Sequence, residues 1–280
     1  MTRRAWLAAA AALGAVRSGR AEEAPLTVRD VGLRGRRALL VTPRPPSPPA
    51  SLPLVVLLHG LGETGDPRAG AYAYWERYGL PGAYARLLTP PVARISRAGY
   101  FTDAALTRVN ASLAGRPFGP LAFLCPHVPN LQSPVQVAPF ATWLVKEGIP
   151  EARALFASAG TPVGKVLLAG CSLGAFIGFE SLLAFPEAFS AVAGVQSAIG
   201  TGAAPRYAKA LADAGVRTYL STSSGDPYRG PTRALAAALR ARGVAPDTHE
   251  APGPHDQPWL REVGMVELLL WLHRASLPLP

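Results

Sequence analysis

Five short, predominantly apolar runs constrain the fold of this chain more than any other feature. They lie at residues 54–58, 121–124, 166–169, 191–195 and 218–220. Strands that are apolar without alternation are those buried on both faces, as in a parallel sheet. Segments of helix length separate or follow them, at residues 143–157, 174–184, 207–214, 233–242 and 262–273. This order predicts an α/β fold, a doubly wound and mostly parallel sheet with its functional site at the carboxyl ends of the strands.

An antiparallel hairpin is expected at the start of the domain. Two strand-like runs, residues 26–31 and 37–41, flank a glycine-containing turn at residues 32–35. The proline-rich stretch 42–49 cannot continue a ladder, because proline has no amide hydrogen to donate. We therefore expect an extended connection there.

The stretch from residue 65 to residue 119 is less regular and too long for a simple turn. It predicts one core helix and an elaborated loop over the site. Its aromatic side chains, from Tyr72 to Phe101, either line an acyl or aryl pocket or pack the loop. The sequence leaves both alternatives open.

The first 21 residues are typical of an export signal peptide. Arg3 and Arg4 precede an alanine-rich apolar stretch, small residues lie near Ala21, and no acidic residue occurs before Glu22. The paired arginines resemble a twin-arginine signal, which predicts a periplasmic or secreted protein that is exported after folding. A buried amphipathic helix is the alternative. Residues 22–280 are expected to form one domain.

Charge and hydropathy narrow the classes of partner. The formal net charge is +10, and four arginines of the leader account for part of it, which leaves +6 for the rest of the chain. The other arginines are scattered rather than gathered on one helix, which argues against a nucleic-acid partner. No apolar run approaches the roughly 20 residues of a membrane-spanning helix, so we expect no integral membrane segment after signal removal.

The chain has only two cysteines, Cys125 and Cys171, so the fold cannot depend on a disulfide framework. They lie near the ends of different predicted strands, and another strand is expected between them. Their Cα separation should then exceed the roughly 7 Å limit for a bridge. Cys171 also stands directly before a candidate nucleophile, where it is expected to be a small packing residue rather than a second nucleophile.

That candidate nucleophile is Ser172, in the segment Gly170-Cys171-Ser172-Leu173-Gly174. The segment follows a buried strand and opens a helix, so the serine is expected on a strained strand-to-helix turn with its hydroxyl exposed. Larger side chains in place of Gly170 and Gly174 would collide with the neighbouring strand and helix. A serine hydroxyl is a poor nucleophile unless a base takes its proton and donors receive the oxyanion.

The candidate oxyanion donors are the backbone amides of Leu61 and Leu173. Leu61 belongs to the segment His59-Gly60-Leu61-Gly62, which directly follows the buried run 54–58. Only the backbone N–H matters in this role, so the leucine side chains are incidental. His59 is a weak candidate for the base, because a histidine there more often holds the loop.

His255 is the candidate base, and Asp226 the candidate acid that orients it. His255 lies in a turn-rich loop between a short strand-like run and the last helix, and Asp226 follows the run 218–220. Other candidates fit less well because they fall inside predicted helices or strands or precede the serine, namely His127, His249, His273, Asp213 and Asp247. A turn or helix-capping aspartate is the alternative for Asp226.

With these motifs in this order, the chain resembles the secreted esterase branch of the α/β-hydrolases, which includes polyhydroxybutyrate depolymerase-like, feruloyl-esterase-like and esterase-D-like proteins. The matching segments are residues 53–60, 170–174, 224–227 and 253–256, and the resemblance spans roughly residues 37–273. It implies the α/β-hydrolase fold and hydrolysis of a small-molecule or oligomeric ester through an acyl-serine intermediate. It also implies that neither a metal nor an organic cofactor takes part.

Three other functions remain open. Similar serine turns are used by peptidases that act on small peptides and by acyltransferases. A chain can also keep the fold and lose the chemistry, which would make it a non-catalytic exported binding protein. The presence of Ser172, Asp226 and His255 together argues against this last alternative.

Overall fold

The structure is a computed structural model that describes residues 25–44 and 51–278. The predicted export signal, residues 1–21, lies outside the described residues, as does most of the proline-rich connection. Among the described residues, no helix has the length and apolar character needed to cross a membrane.

Eight strands form one sheet within the described part of the chain. They are β1 (Leu26–Leu33), β2 (Arg36–Pro43), β3 (Leu52–Leu58), β4 (Ala122–Pro126), β5 (Val163–Cys171), β6 (Ala191–Val195), β7 (Arg217–Gly225) and β8 (Asp247–Pro254). Their order is β1-β2-β4-β3-β5-β6-β7-β8. The β1–β2 and β2–β4 pairs are antiparallel, and all pairs from β4 to β8 are parallel. The predicted hairpin and parallel sheet are confirmed.

Helices cover both faces of this sheet. They are α1 (Pro67–Ala71), α2 (Leu80–Leu88), α3 (Asp103–Gly115), α4 (Pro134–Trp143), α5 (Ile149–Ser158), α6 (Leu173–Ala184), α7 (Ala204–Ala214), α8 (Arg229–Arg240), α9 (Gln257–Trp259) and α10 (Met265–Ser276). Side chains alternate along β3, so that Val55 and Leu57 enter one core while Val56 and Leu58 enter the other. Residues of α2, α3 and α10 complete the first core, and those of α4 to α8 complete the second. The sheet is therefore doubly wound.

The helix predicted over residues 143–157 begins earlier than expected. Helix α4 starts at Pro134, where Ser133 caps it by accepting a hydrogen bond from the Gln136 N–H. A π-helical turn, Leu144–Gly148, then joins α4 to α5. Pro139 lies inside α4, a position that normally disfavours a helix, and this masked the true start in the sequence.

The segment from residue 65 to residue 119 holds three helices, α1 to α3, rather than one helix and a loop. Its aromatic residues pack into the first core, where Tyr74, Tyr78, Tyr84 and Phe101 are buried. Packing is thus the alternative that the structure supports for these side chains, because none of them lines the cavity beside Ser172.

Both cysteines are free, and both are buried. Cys125 lies on β4 and Cys171 on β5, and β3 runs between these two strands. The predicted separation by an intervening strand is confirmed. Burial also raises the pKa of both thiols far above its usual range, so neither is a ready nucleophile.

Three largely buried histidines predict that the fold loses stability in mild acid. Burial lowers the pKa of His59, His249 and His273 to about 4. In the unfolded chain a histidine titrates near pH ~6.5. Between about pH 6.5 and 4 the unfolded chain therefore binds protons that the folded chain does not, and the free energy of unfolding falls by up to ~1.4 kcal/mol per pH unit for each histidine.

Urea unfolding at pH 7, 6 and 5 measures this loss, and a free energy of unfolding that stays constant over this range would contradict it. A variant with His249→Gln should lose less stability per pH unit than the parent. Burial raises the pKa of Glu267, which opposes the trend, because that carboxyl takes up its proton more readily in the folded state. The net slope is therefore smaller than the sum over the three histidines.

Candidate active site

Ser172 stands at the turn between β5 and α6, as the sequence predicts. Its φ of 54° is unusual for a residue other than glycine, so the turn is strained. Two backbone hydrogen bonds hold it, from the Ser172 N–H to the Val195 carbonyl (2.9 Å) and from the Ala198 N–H to the Ser172 carbonyl (3.1 Å). The end of β6 and the loop that follows it therefore hold the strained serine in place.

Gly170 and Gly174 make this turn possible because backbone segments approach each other very closely at both positions. A Cβ on Gly170 would overlap the backbone of Gly174, and a Cβ on Gly174 would overlap the carbonyl of Leu58 at the end of β3. Neither obstacle is a flexible side chain. The collision predicted for larger residues at both positions is therefore present in the structure.

Replacing Gly174 with alanine is expected to destabilise the fold by about 3 kcal/mol or more, because backbone on two elements must move apart. The free energy of urea unfolding, or the soluble yield where the variant does not fold, measures the effect. Gly178→Ala on the same helix is the matched control, since a Cβ there would meet only the Leu168 and Leu58 side chains at 3.7 Å or more. Equal stability of the two variants would contradict the prediction.

The structure brings His255 and Asp226 into one hydrogen-bonded series with Ser172. His255 follows β8, and its Nε2 lies 3.1 Å from the Ser172 Oγ. Its Nδ1 lies 2.9 Å from the Asp226 Oδ1, at the end of β7. Three strand ends thus supply the three groups at the same edge of the sheet. Neither Asp213 nor Asp247 takes part: the first pairs with Lys209 and the second accepts a hydrogen bond from Trp271.

The surroundings of Asp226 keep its carboxylate ionised. Burial on its own raises the pKa of Asp226, but the hydrogen bonds from His255, the Thr222 hydroxyl and the Tyr228 N–H outweigh burial and lower that pKa overall. A carboxylate can only accept a hydrogen bond, so Nδ1 must carry the hydrogen that it donates to Asp226. The Nδ1–H tautomer is therefore favoured, and Nε2 keeps its lone pair. That lone pair faces the serine hydroxyl.

Leu61 and Leu173 both border the cavity beside Ser172, which has a volume of about 330 Å³. Leu173 is the first residue of α6, and Leu61 begins a short helical turn, Leu61–Glu63. The first amides of a helix have no acceptor within the helix, and their N–H groups attract negative charge. The two candidate oxyanion donors are thus on the same cavity as the candidate nucleophile.

The remaining wall of this cavity is mostly apolar. Phe176, Ile199 and Ala203 line it together with the ring of Tyr207, whose hydroxyl is engaged by Glu180 at 2.5 Å. Gln132 and Tyr228 add polar groups.

His59 holds the loop after β3, as expected, and is buried there. Its Nδ1 lies 2.9 Å from the Gly60 carbonyl, and its Nε2 accepts a hydrogen bond from the Val128 N–H at 2.8 Å. Both ring nitrogens are engaged, so His59 has no free site for a serine proton. The other three histidines lie apart from Ser172, with His127 against Thr64, His249 against Arg108 and His273 against Gly119.

Gln196 is a residue at this site that sequence reasoning missed. Its Nε2 donates to the Ser223 Oγ (2.8 Å) and to the Pro254 carbonyl (2.9 Å), directly before His255. Its φ of 47° is again in the left-handed region. Gln196 joins the ends of β6, β7 and β8, and its position just after a buried strand is the signal that could have found it.

Comparison with known proteins is informative at the level of the fold. No family model matches the chain, and no curated protein matches it by sequence. A ferulic acid esterase is similar in structure, with a TM-score of 0.63 at 14% identity over 89% of this chain and 98% of the other. The S-formylglutathione hydrolase FrmB of Staphylococcus aureus is similar too, with a TM-score of 0.57 at 12% identity over 89% and 96%.

A third similar structure, the enterobactin esterase FES of Shigella flexneri, has a TM-score of 0.54 at 16% identity. The match covers 91% of this chain but 61% of that esterase. Together these likenesses and the sheet order show that the chain has the α/β-hydrolase fold.

Proposed function

We propose that this protein is a serine hydrolase that cleaves carboxylic esters through an acyl-serine intermediate. The series from Ser172 through His255 to Asp226, with contacts of 3.1 Å and 2.9 Å, carries the proposal. Such a series activates a hydroxyl that would otherwise be a weak nucleophile. The three similar structures named above are two esterases and one S-formylglutathione hydrolase, which favours ester chemistry over peptide chemistry.

In the proposed mechanism the Ser172 Oγ attacks the ester carbonyl while His255 Nε2 takes its proton. The Leu61 and Leu173 N–H groups receive the oxyanion, and Asp226 stabilises the imidazolium. His255 then gives the proton to the leaving alcohol, and the acyl group stays on Ser172. Water, activated by His255, releases the acid. Protein groups supply every step, so neither a metal nor an organic cofactor is part of the proposal.

The cavity beside Ser172 is proposed to hold the acyl group. The leaving alcohol must receive its proton from His255, and His255 is not among the residues that line the cavity. No charged side chain lines it either, among the described residues, so an uncharged acyl group fits it best. The volume of about 330 Å³ is at the lower end for small-molecule sites.

A substrate panel tests the proposed function. We expect turnover of p-nitrophenyl esters with uncharged acyl groups, weaker turnover of the ester of a dicarboxylic half-acid, and none of aminoacyl-nitroanilides. Turnover of nitroanilides without esters would favour a peptidase. Transfer of the acyl group to an added alcohol in preference to water would favour an acyltransferase, and the absence of all turnover would favour a non-catalytic binding protein.

Export through the twin-arginine route remains a proposal that rests on the leader sequence. The paired Arg3 and Arg4, the apolar stretch after them and the small residues near Ala21 support it. Replacing both arginines with lysine should leave uncleaved protein in the cytoplasm. Unchanged processing of that variant would reject the twin-arginine route.

A further inference from the structure

Glu63 is a buried acid that the proposed mechanism does not use. It stands two residues after Leu61, and only 3% of its surface is exposed. Donors from two other segments meet its carboxylate: the Tyr78 hydroxyl on Oε2, and the Arg77 Nη1 and Gln257 Nε2 on Oε1 at 3.3 Å each. A buried carboxylate is costly unless donors satisfy it in this way.

The Tyr78 hydroxyl links this carboxylate to the backbone beside the oxyanion donor. It accepts a hydrogen bond from the Gly60 N–H at 3.1 Å and donates to Glu63. Gly60 immediately precedes Leu61 and packs closely against the nucleophile, since a Cβ on Gly60 would lie 3.5 Å from the Ser172 Cβ. The orientation of the Leu61 N–H therefore depends on where Tyr78 holds Gly60.

Gln257 links the same carboxylate to the loop that carries the base. It follows His255 by two residues and begins α9, which Asp256 caps by accepting from the Trp259 N–H at 2.8 Å. The contact between Gln257 and Glu63 joins positions 194 residues apart in the sequence. The carboxylate thus connects the oxyanion loop, the start of α9 and the segment around Tyr78.

We propose that Glu63, acting through Tyr78 and Gln257, is a positioning residue that sets the Leu61 N–H and the His255 loop relative to Ser172. This inference rests on the proposed function. Glu63 does not touch substrate in this role. A small displacement of an oxyanion donor or of the base weakens the stabilisation of the transition state and leaves substrate binding unchanged. Glu63 therefore affects the rate of the reaction.

Labelling by a fluorophosphonate probe, followed in time, separates positioning from folding. The final extent of labelling counts the folded sites, and the rate constant measures how well nucleophile, base and oxyanion donors are aligned. For Tyr78→Phe and Glu63→Gln we expect near-complete labelling with a rate constant about ten- to a hundredfold lower than in the parent. For p-nitrophenyl acetate, kcat should fall by a similar factor while KM stays within about twofold.

Matched controls lie nearby on the same segment. Tyr72→Phe removes a hydroxyl that contacts Asp30, and Glu76→Gln removes a surface carboxylate that pairs with Arg68. Both should label at the parent rate. Glu63→Gln and Tyr78→Phe change buried side chains and could fail to fold, so Gln257→Ala, at a half-buried side chain, serves as a third variant. Its labelling rate constant should fall about three- to tenfold.

The outcomes distinguish this inference from the proposed function. Variants that label at the parent rate constant, whether to the full or to a reduced extent, would overturn the positioning role and leave the esterase proposal intact. A parent protein that does not label at all would overturn the proposed function, and the positioning role would fall with it.

Discussion

Replacing Ser172 with alanine is expected to reduce ester hydrolysis by about 10⁴-fold or more and to abolish labelling by a fluorophosphonate. The change removes only the Oγ that lies 3.1 Å from His255 Nε2. Without that oxygen no acyl-enzyme can form, and water must attack a carbonyl that the remaining groups merely bind. Steady-state rates with p-nitrophenyl acetate, compared at equal concentrations of folded protein, measure the loss.

Cys171→Ala is the control for this prediction, because it changes the adjacent residue and removes the alternative nucleophile. The Cys171 side chain is buried, and burial raises the pKa of its thiol far above its usual range. We therefore expect full labelling and nearly unchanged turnover in the control. Equal labelling of the parent and Ser172→Ala, or loss of labelling in Cys171→Ala alone, would contradict the assignment of the nucleophile.

The elements that can be predicted from the sequence are those whose residue pattern is compatible with only one local structure. The run 166–169 is buried on both faces of the sheet, and Gly170 and Gly174 are positions where a Cβ would overlap backbone. Such positions leave a signature in the sequence, because other residues do not fit. The same reasoning placed Asp226 and His255 after strands, where parallel topology brings their side chains to one edge.

The segment around Tyr78 was not predictable in the same way. An aromatic side chain contributes similar apolar surface whether it packs a core or lines a pocket, so its type does not reveal which of the two it does. The choice depends on tertiary contacts, and here the core between α2, α3 and α10 takes these residues.

Gln196 and Gln257, which join loops around the site, could not be identified from the sequence because their contacts are tertiary. Gln196 takes a left-handed backbone conformation that glutamine rarely adopts, and Gln257 contacts Glu63 across 194 positions. The position of Gln196 after a buried strand marks it only as a residue near the site, and the contacts of both glutamines depend on where separate loops meet. The sequence predicts the groups proposed to do chemistry and the loop-holding His59, but not Gln196 and Gln257, which join separate loops around the site.

A second large effect is expected from Asp226→Ala, which should lower kcat/KM for esters by about 10⁴-fold. The change removes the acceptor 2.9 Å from His255 Nδ1, so the imidazole loses both its preferred tautomer and the charge that stabilises its protonated form. Rates with p-nitrophenyl acetate measure the loss. Asp213→Ala on α7, where the aspartate is an exposed partner of Lys209, should remain near the parent rate.

Asp226→Asn separates orientation from charge, and its expected effect is smaller. In the parent the Tyr228 N–H donates to the Asp226 Oδ1 at 3.0 Å, while the Thr222 hydroxyl contacts Oδ2 at 2.6 Å. An asparagine would therefore place its oxygen toward Tyr228 and His255 and its NH₂ toward Thr222, whose hydroxyl can turn to accept. The Nδ1–H tautomer then survives without the charge, and we expect a loss of about 10²- to 10³-fold. If Asp226→Asn loses as much activity as Asp226→Ala, the amide has taken the opposite orientation and reversed the tautomer of His255. If both variants keep nearly the parent rate, Asp226 is a turn-capping residue only.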